Sequence, residues 1–256
     1  MLLTVDVGNT QTVLGLFEGP ELLHHWRIAT NAERTSDELA LVVSELLRLR
    51  RIDFEPAGMG IAISSVVPRL TAALREMTEE WFGVKAVVLE PGTRTGMPIL
   101  YDNPKEVGAD RIANAVGALD AYDGPCIVVD FGTATTLDAI SAAGEYLGGA
   151  IIPGIEISLD ALFGRAAALR RVELVEPRNV IGKNTVESIQ SGAVYGFAAQ
   201  VDGLCARIER ELGEAATIIA TGGLAGLITP LSEKIAHHEP WLTLHGLRLI
   251  WERNSS

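Results

Sequence analysis

The chain is expected to fold as an α/β protein built of two similar halves around a ligand-binding cleft. Three observations lead there: an internal repeat of a three-strand unit, an order in which strands come first and then alternate with helices, and 256 residues of which 48% are hydrophobic. That length and apolar content suffice for two adjoining cores of ordinary size. The expected division is 1–118 and 119–256. No low-complexity linker separates the halves, so a shared interface between them is expected.

The first 28 residues read as three short strands, LLTVDV, TVLGLF and LLHHWRI. The polar GNTQ turn and the Gly-Pro of EGPE separate them. Thr35-Ser36-Asp37-Glu38 has the form of a capping box, and Leu39, Val42, Val43, Leu46 and Leu47 recur behind it at helical spacing. An apolar strand at 60–64, a helix opening near Pro68 and a strand KAVVLE follow. The loop PGTRTGMPILYDNPKEVGADR leads into an Ala- and Leu-rich helix over 112–122, which Asp123-Gly124-Pro125 breaks. CIVVDFGTATTLDAIS and GEYLGGAIIP open a second strand series. A long helix over 185–212, a strand ATIIATGG and further helix-forming segments complete the chain.

Sliding the first series forward by 124 positions lays Val5-Asp6-Val7-Gly8 on Val129-Asp130-Phe131-Gly132. The same offset pairs Thr12 with Thr136, Glu21 with Glu145 and Leu23 with Leu147. Any two apolar strands align somewhere, but matched Asp-x-Gly turns in the same register mark a duplication. Two such units, each followed by helices, place a ligand between them.

A formal charge of −12 argues against a general nucleic-acid binder, whose affinity rests on clustered Lys and Arg. An anionic ligand would be held by backbone N–H groups and a cation. The opening MLLTVDVGNT has neither a basic n-region nor a cleavage site, and no apolar run reaches the roughly 20 residues of a membrane span, so a cytoplasmic protein is expected. Cys126 and Cys205 lie in no metal-binding pattern and read as buried thiols. His24-His25 and His237-His238 are adjacent pairs, which diverge on a helix or alternate faces on a strand, a poor arrangement for a metal.

Asp6-Val7-Gly8-Asn9-Thr10 sits where one strand turns into the next. Its Gly admits close backbone approach to a phosphate, Asn and Thr add donors, and the carboxylate suits a hydrated Mg²⁺; an ordinary hairpin turn is the bland alternative. Asp130-Phe131-Gly132-Thr133-Ala134-Thr135-Thr136 repeats the pattern, and two such turns make a polyphosphate clamp, although Thr135 and Thr136 also read as plain strand formers. In Gly108-Ala109-Asp110-Arg111, Asp110 reads either as a helix N-cap or as a carboxylate able to accept a proton from a substrate hydroxyl. Thr221-Gly222-Gly223 suits close approach to an adenine or ribose, or a helix-entry turn. Neither Lys105 nor Lys183 stands in a Walker context.

Taken in order, DVGNT, NPKEVGADR, VVDFGTATT, GGAIIPGI, IGKNTVESIQSGAVYG and IIATGG resemble the type III pantothenate kinases over nearly the whole chain. D-x-G-N-T is shared with other branches of the actin, sugar kinase and Hsp70 superfamily, whereas GADR with GKNT downstream is particular to this family. The resemblance implies a duplicated actin-like (ribonuclease H-like) ATPase fold. It also implies ATP-dependent phosphorylation of pantothenate to 4'-phosphopantothenate, the first step of coenzyme A biosynthesis. Asp6, Val7, Gly8, Asn9, Thr10, Gln11, Thr12 and Val13 would form the first phosphate-binding segment, and Thr133 would contact ATP from the second. Asp6 would steer Mg²⁺, and Asp130 would hold a monovalent cation, K⁺ or ammonium. Asp110 would be the general base, with Tyr101, Gly108, Ala109, Arg111 and Thr185 around pantothenate. A guanidinium matches a carboxylate bidentately, so Arg111 is a candidate partner for that group of the substrate. A homodimer is implied as well. The alternatives are a kinase or phosphatase of the same superfamily acting on another small molecule, and a non-catalytic transcriptional accessory protein.

Overall fold

The structure, a computed structural model, describes residues 1–52, 59–166 and 169–255. The chain divides into two compact units, the first comprising 1–98, 102–117 and 242–256 and the second 99–101 and 118–241. The C-terminal segment, assigned from sequence to the second half, therefore groups with the first.

In the first unit, β1 (Leu2–Val7), β2 (Gln11–Glu18), β3 (Glu21–Ala29), β4 (Gly60–Ser65) and β5 (Val87–Val88) form one sheet in the order β3-β2-β1-β4-β5. β1 is antiparallel to β2 and parallel to β4. The KAVVLE strand shortens to its central Val-Val pair. On one face, α1 (Ser36–Leu49) and α2 (Pro68–Glu80) bury Leu39, Val43, Leu47, Leu70, Leu74 and Met77 against Val5, Val7, Ile61 and Ile63. The capping box is present: the Thr35 hydroxyl accepts from the Glu38 N–H, and a Glu38 carboxylate oxygen accepts from the Thr35 N–H at 2.9 Å.

The helix after the long loop, α3, runs over Ala109–Ala121, so it starts three residues before its apolar stretch. The C-terminal helix α7 (Leu242–Asn254) packs on β1, β2 and β4. It also meets α3 through glycines. A Cβ on Gly117 would lie 2.8 Å from the Leu242 carbonyl, and one on Gly246 would overlap the Ala113 carbonyl. Thr243 Oγ1 donates to Asn114 Oδ1 at 2.7 Å across the same contact.

The second unit repeats the sheet. Its strands β6 (Cys126–Phe131), β7 (Ala134–Ile140), β8 (Tyr146–Pro153), β9 (Thr217–Thr221) and β10 (His237–His238) run in the order β10-β9-β6-β7-β8. β6 is antiparallel to β7 and parallel to β9, as β1 is to β2 and β4. α4 (Ile155–Arg165), α5 (Thr185–Leu212) and the single-turn α6 (Ala225–Ile228) follow the strands. Val194, Ala198, Val201 and Cys205 of α5 close a core with Val129, Phe131, Leu137 and Ile218. Both cysteines are free and buried, and burial pushes the Cys126 thiol up to about 11 and the Cys205 thiol up to about 12, so neither is a thiolate nucleophile near neutral pH.

The 124-residue offset holds for β1 and β6 but slips at the turn. Val7 pairs with Thr12, whereas Phe131 pairs with Thr135, because the second turn is one residue shorter. Thr135 and not Thr136 is thus the counterpart of Thr12. The two threonines differ in their partners. Thr12 Oγ1 lies 2.9 Å from Thr30 Oγ1, while the Thr135 hydroxyl is buried without a hydrogen-bond partner among the described residues. The residue at the Thr30 position of the repeat is Gly154. Thr135→Val removes an unsatisfied hydroxyl at constant shape, and it is expected to stabilise the protein by about 1 kcal/mol or more, read as a rise in melting temperature. A lower melting temperature would show that the hydroxyl is satisfied.

Candidate active site

β1 and β6 have the same burial profile, buried throughout except for a half-buried penultimate aspartate, Asp6 in one and Asp130 in the other, and the remaining side chains are apolar apart from Thr4, whose hydroxyl donates to the Gly15 carbonyl. Each strand is hydrogen-bonded on both sides, so polar chemistry is confined to the end where Asp and the following turn emerge.

In the first turn, the Gly8 N–H donates to the Gln11 carbonyl at 3.0 Å, leaving Asn9, Thr10 and Gln11 exposed. Val7 is core and Val13 half-buried. Thr12 is buried and braces the turn through Thr30, whose hydroxyl also donates to the Gly8 carbonyl at 2.8 Å. The Thr30 N–H donates to the Thr10 carbonyl at 2.9 Å. Sequence reading missed Thr30 because it lies beyond the third strand and carries no pattern of its own.

In the second turn, the Gly132 N–H donates to the Ala134 carbonyl at 3.1 Å and Thr133 is exposed. Gly222, at φ +93°, stands against the Asp130 carboxylate: a Cβ there would overlap Asp130 Oδ1 and come within 2.6 Å of the Phe131 nitrogen. Its close approach is therefore to Asp130 and the β6 backbone. A Cβ on Gly154 would overlap the Thr133 carbonyl. Asp130 is thus framed by glycine and backbone. Among the described residues, no group of three or more His, Cys, Asp or Glu side chains is placed to hold a metal ion. His24 and His25 lie on β3, and His237 and His238 on β10.

Asp110 is the second residue of α3, within the first unit. The helix is capped by Gly108, whose carbonyl accepts from the Ile112 N–H at 3.1 Å, so Asp110 is not the N-cap. Its Oδ1 instead accepts from the Arg111 N–H at 2.8 Å. A Cβ on Gly108 would lie 2.5 Å from that same oxygen, which explains the Gly two positions before the aspartate. Burial holds the Asp110 carboxyl above the ordinary aspartate range, opposed by the Arg111 N–H and the Arg111 charge. Ala109 is half-buried, and Arg111 is only 8% exposed.

Tyr101 and Thr185 belong to the second unit with Asp130 and Thr133. Thr185 is the exposed first residue of α5. Asn184 caps that helix by accepting from the Glu187 N–H at 2.9 Å, and Glu187 accepts from the Lys183 N–H at 2.9 Å. A Cβ on Gly182 would come within 2.5 Å of the Ser188 nitrogen, so GKNT is a compact helix entry that presents Thr185.

The sequence model of the type III pantothenate kinase family matches residues 2–207. The chain is 59% identical to a type III pantothenate kinase of Streptomyces avermitilis, over 100% of this chain and 99% of that protein. It is 54% identical to one of Moorella thermoacetica, over 100% of both. Among solved structures, it is similar in fold to the activator of 2-hydroxyisocaproyl-CoA dehydratase from Clostridium difficile with bound ADPNP (TM-score 0.57, 11% identity, 99% of this chain and 96% of that one). A second is the ROK hexokinase of Thermus thermophilus (TM-score 0.53, 15% identity, 100% and 99%). The duplicated fold is that of the actin-like ATPases and sugar kinases.

The raised proton affinity of Asp110 has a measurable consequence. Its ionised form is disfavoured in the folded state, so its contribution is most favourable below the ordinary aspartate pKa and is lost as pH rises through the elevated value. Asp110→Asn escapes this penalty. Its melting temperature relative to wild type is expected to improve as pH rises from about 4 through the elevated Asp110 value and then to level off, and a pH-independent difference would argue against a desolvated carboxylate. On its motifs, its fold and its full-length identity, the chain belongs to the type III pantothenate kinase family.

Proposed function

We propose that this protein transfers the γ-phosphoryl group of ATP to the primary hydroxyl of pantothenate, releasing ADP and 4'-phosphopantothenate, in the cytoplasm as the first step of coenzyme A biosynthesis. Full-length identity to proteins of that name carries the reading. The local chemistry of Asp110 supports it. A carboxylate kept partly from water is more basic than an exposed one, and a general base works best when its pKa approaches the working pH.

Asp110 accepts the hydroxyl proton as the oxygen bonds to phosphorus and ADP departs. The loose transition state of phosphoryl transfer asks the protein mainly to position reactants and stabilise charge. Asn9, Thr10, Gln11 and Thr133 present donors to the phosphates, and Gly8 holds the first turn. Asp6 would hold Mg²⁺ and Asp130 would hold K⁺ or ammonium; bound there, these cations would supply the positive charge that an acidic protein lacks. Tyr101, Gly108, Ala109, Arg111 and Thr185 are the proposed pantothenate contacts, with Arg111 the partner of its carboxylate.

We also propose a homodimer formed through the second unit. That unit exposes Leu147 and Ile151 on β8, Ile157 and Leu162 on α4, and Val180 and Ile181 in the following loop, with Ile151 62% and Ile181 73% exposed. Apolar side chains exposed to this extent support an interface on that unit.

Pantothenate-dependent ADP release, measured in K⁺ and in Na⁺, tests the activity. Asp110→Asn is expected to lower turnover by about 10²–10⁴-fold with the KM for ATP little changed. Asp130→Ala should abolish the advantage of K⁺ over Na⁺. ADP release independent of pantothenate would reject the acceptor. For assembly, Ile151→Glu is expected to halve the mass found by light scattering, and an unchanged mass would place the interface elsewhere.

A further inference from the structure

Asp138 has no exposed surface, lies in the middle of β7 and has no part in the mechanism above. The Tyr146 hydroxyl, on an equally buried side chain, donates to Asp138 Oδ1 at 2.6 Å, and Thr136 Oγ1 donates to Oδ2 at 3.1 Å. Burying a carboxylate and a phenol is a costly way to fill a core, since apolar residues of similar volume do it as well or better. The strand is bent to achieve it. The β7–β8 register runs Asp138 to Gly149 and Ala139 to Gly148, then shifts so that Ile140 pairs with Tyr146. Leu147 is the extra residue, and Gly148 takes φ +117°. Without this bulge the alternation of the strand would turn Tyr146 to the face opposite Asp138; with it, the two share a face.

Tyr146 in turn seats the segment 99–101. Ile99 forms a parallel bridge with Tyr146, and the Leu100 N–H donates to the Tyr146 carbonyl at 2.8 Å. The Tyr101 ring lies 6.4 Å from the Tyr146 ring at 55°, and a Cβ on Gly148 would stand 3.2 Å from Tyr101 Cε2. We infer that Tyr146, anchored by Asp138 through the bulge in β8, is a positioning residue that sets the place of Tyr101 and thereby the affinity for the acceptor substrate. This rests on the reading of Tyr101 as a pantothenate contact. Gly148 belongs to the same device because only a glycine leaves the ring its seat.

The test is a double-mutant cycle of Tyr146→Phe and Tyr101→Ala, with steady-state kinetics and hydrogen exchange at the Leu100 amide. Tyr146→Phe deletes only the hydroxyl that reaches Asp138. It is expected to raise the KM for pantothenate about tenfold, leave the KM for ATP within about twofold, and speed Leu100 exchange. In the Tyr101→Ala background it should add nothing to the pantothenate KM, because the two act as one unit. Additive effects, equal changes in both KM values, or unaltered Leu100 exchange would overturn the inference. If the wild-type enzyme shows no pantothenate-dependent ADP release, the substrate assignment falls instead, and Leu100 exchange in Tyr146→Phe alone decides whether the anchor exists.

Discussion

Each unit is organised by a central strand that is buried along its length yet carries an aspartate next to its end. β1 and β6 are flanked by an antiparallel partner on one side and a parallel one on the other, which saturates their backbone groups. Apart from Thr4, which is satisfied by the Gly15 carbonyl, apolar side chains fill both faces, so an ionised aspartate is best accommodated where the strand runs out into a glycine turn. The carboxyl ends of such strands are the general location of ligand sites in open α/β sheets. Hairpin, helix packing and the placement of Asp6 and Asp130 all follow from that requirement.

Glycines then decide how closely other groups approach these carboxylates. Gly222 lies against Asp130, Gly154 against the Thr133 carbonyl and Gly108 against the Asp110 oxygen, and in each case a Cβ would meet an atom of the candidate site. A substitution at any of them would act directly on an oxygen of the candidate site. The same device joins α3 to α7 at Gly117 and Gly246, so the helix bearing Asp110 is held by backbone contact in addition to side-chain packing. A net charge of −12 does not oppose the proposed handling of a polyphosphate, since donors on turns and oxygen-bound cations would supply the local field.

The duplicated turns have diverged in their internal support. The first is tied by Thr12, Thr30 and Gly8, while the second is shorter and leans on glycines at 154 and 222. The first turn thus keeps its shape through hydroxyl bonds and the second through backbone packing. The difference matches the different tasks proposed for Asp6 and Asp130, one toward a hydrated divalent cation and the other toward a directly held monovalent one.

Local signals in the sequence determined a good deal. Hydrophobic alternation and turn residues placed the strands, Thr35 to Glu38 placed the start of α1, and the repeat of Asp-x-Gly announced two like sheets, because each of these depends on near neighbours in the chain. The ordered motifs carried the family. Tertiary structure alone decided that residues 242–256 join the first unit, that Thr135 and not Thr136 matches Thr12, that Gly222 faces Asp130, and that Gly108 caps the helix on which Asp110 sits half-buried. It likewise decided that a bulge turns Tyr146 onto Asp138. Register, desolvation and the contact of residues a hundred positions apart are properties of packed surfaces, and no local pattern in the chain encodes them.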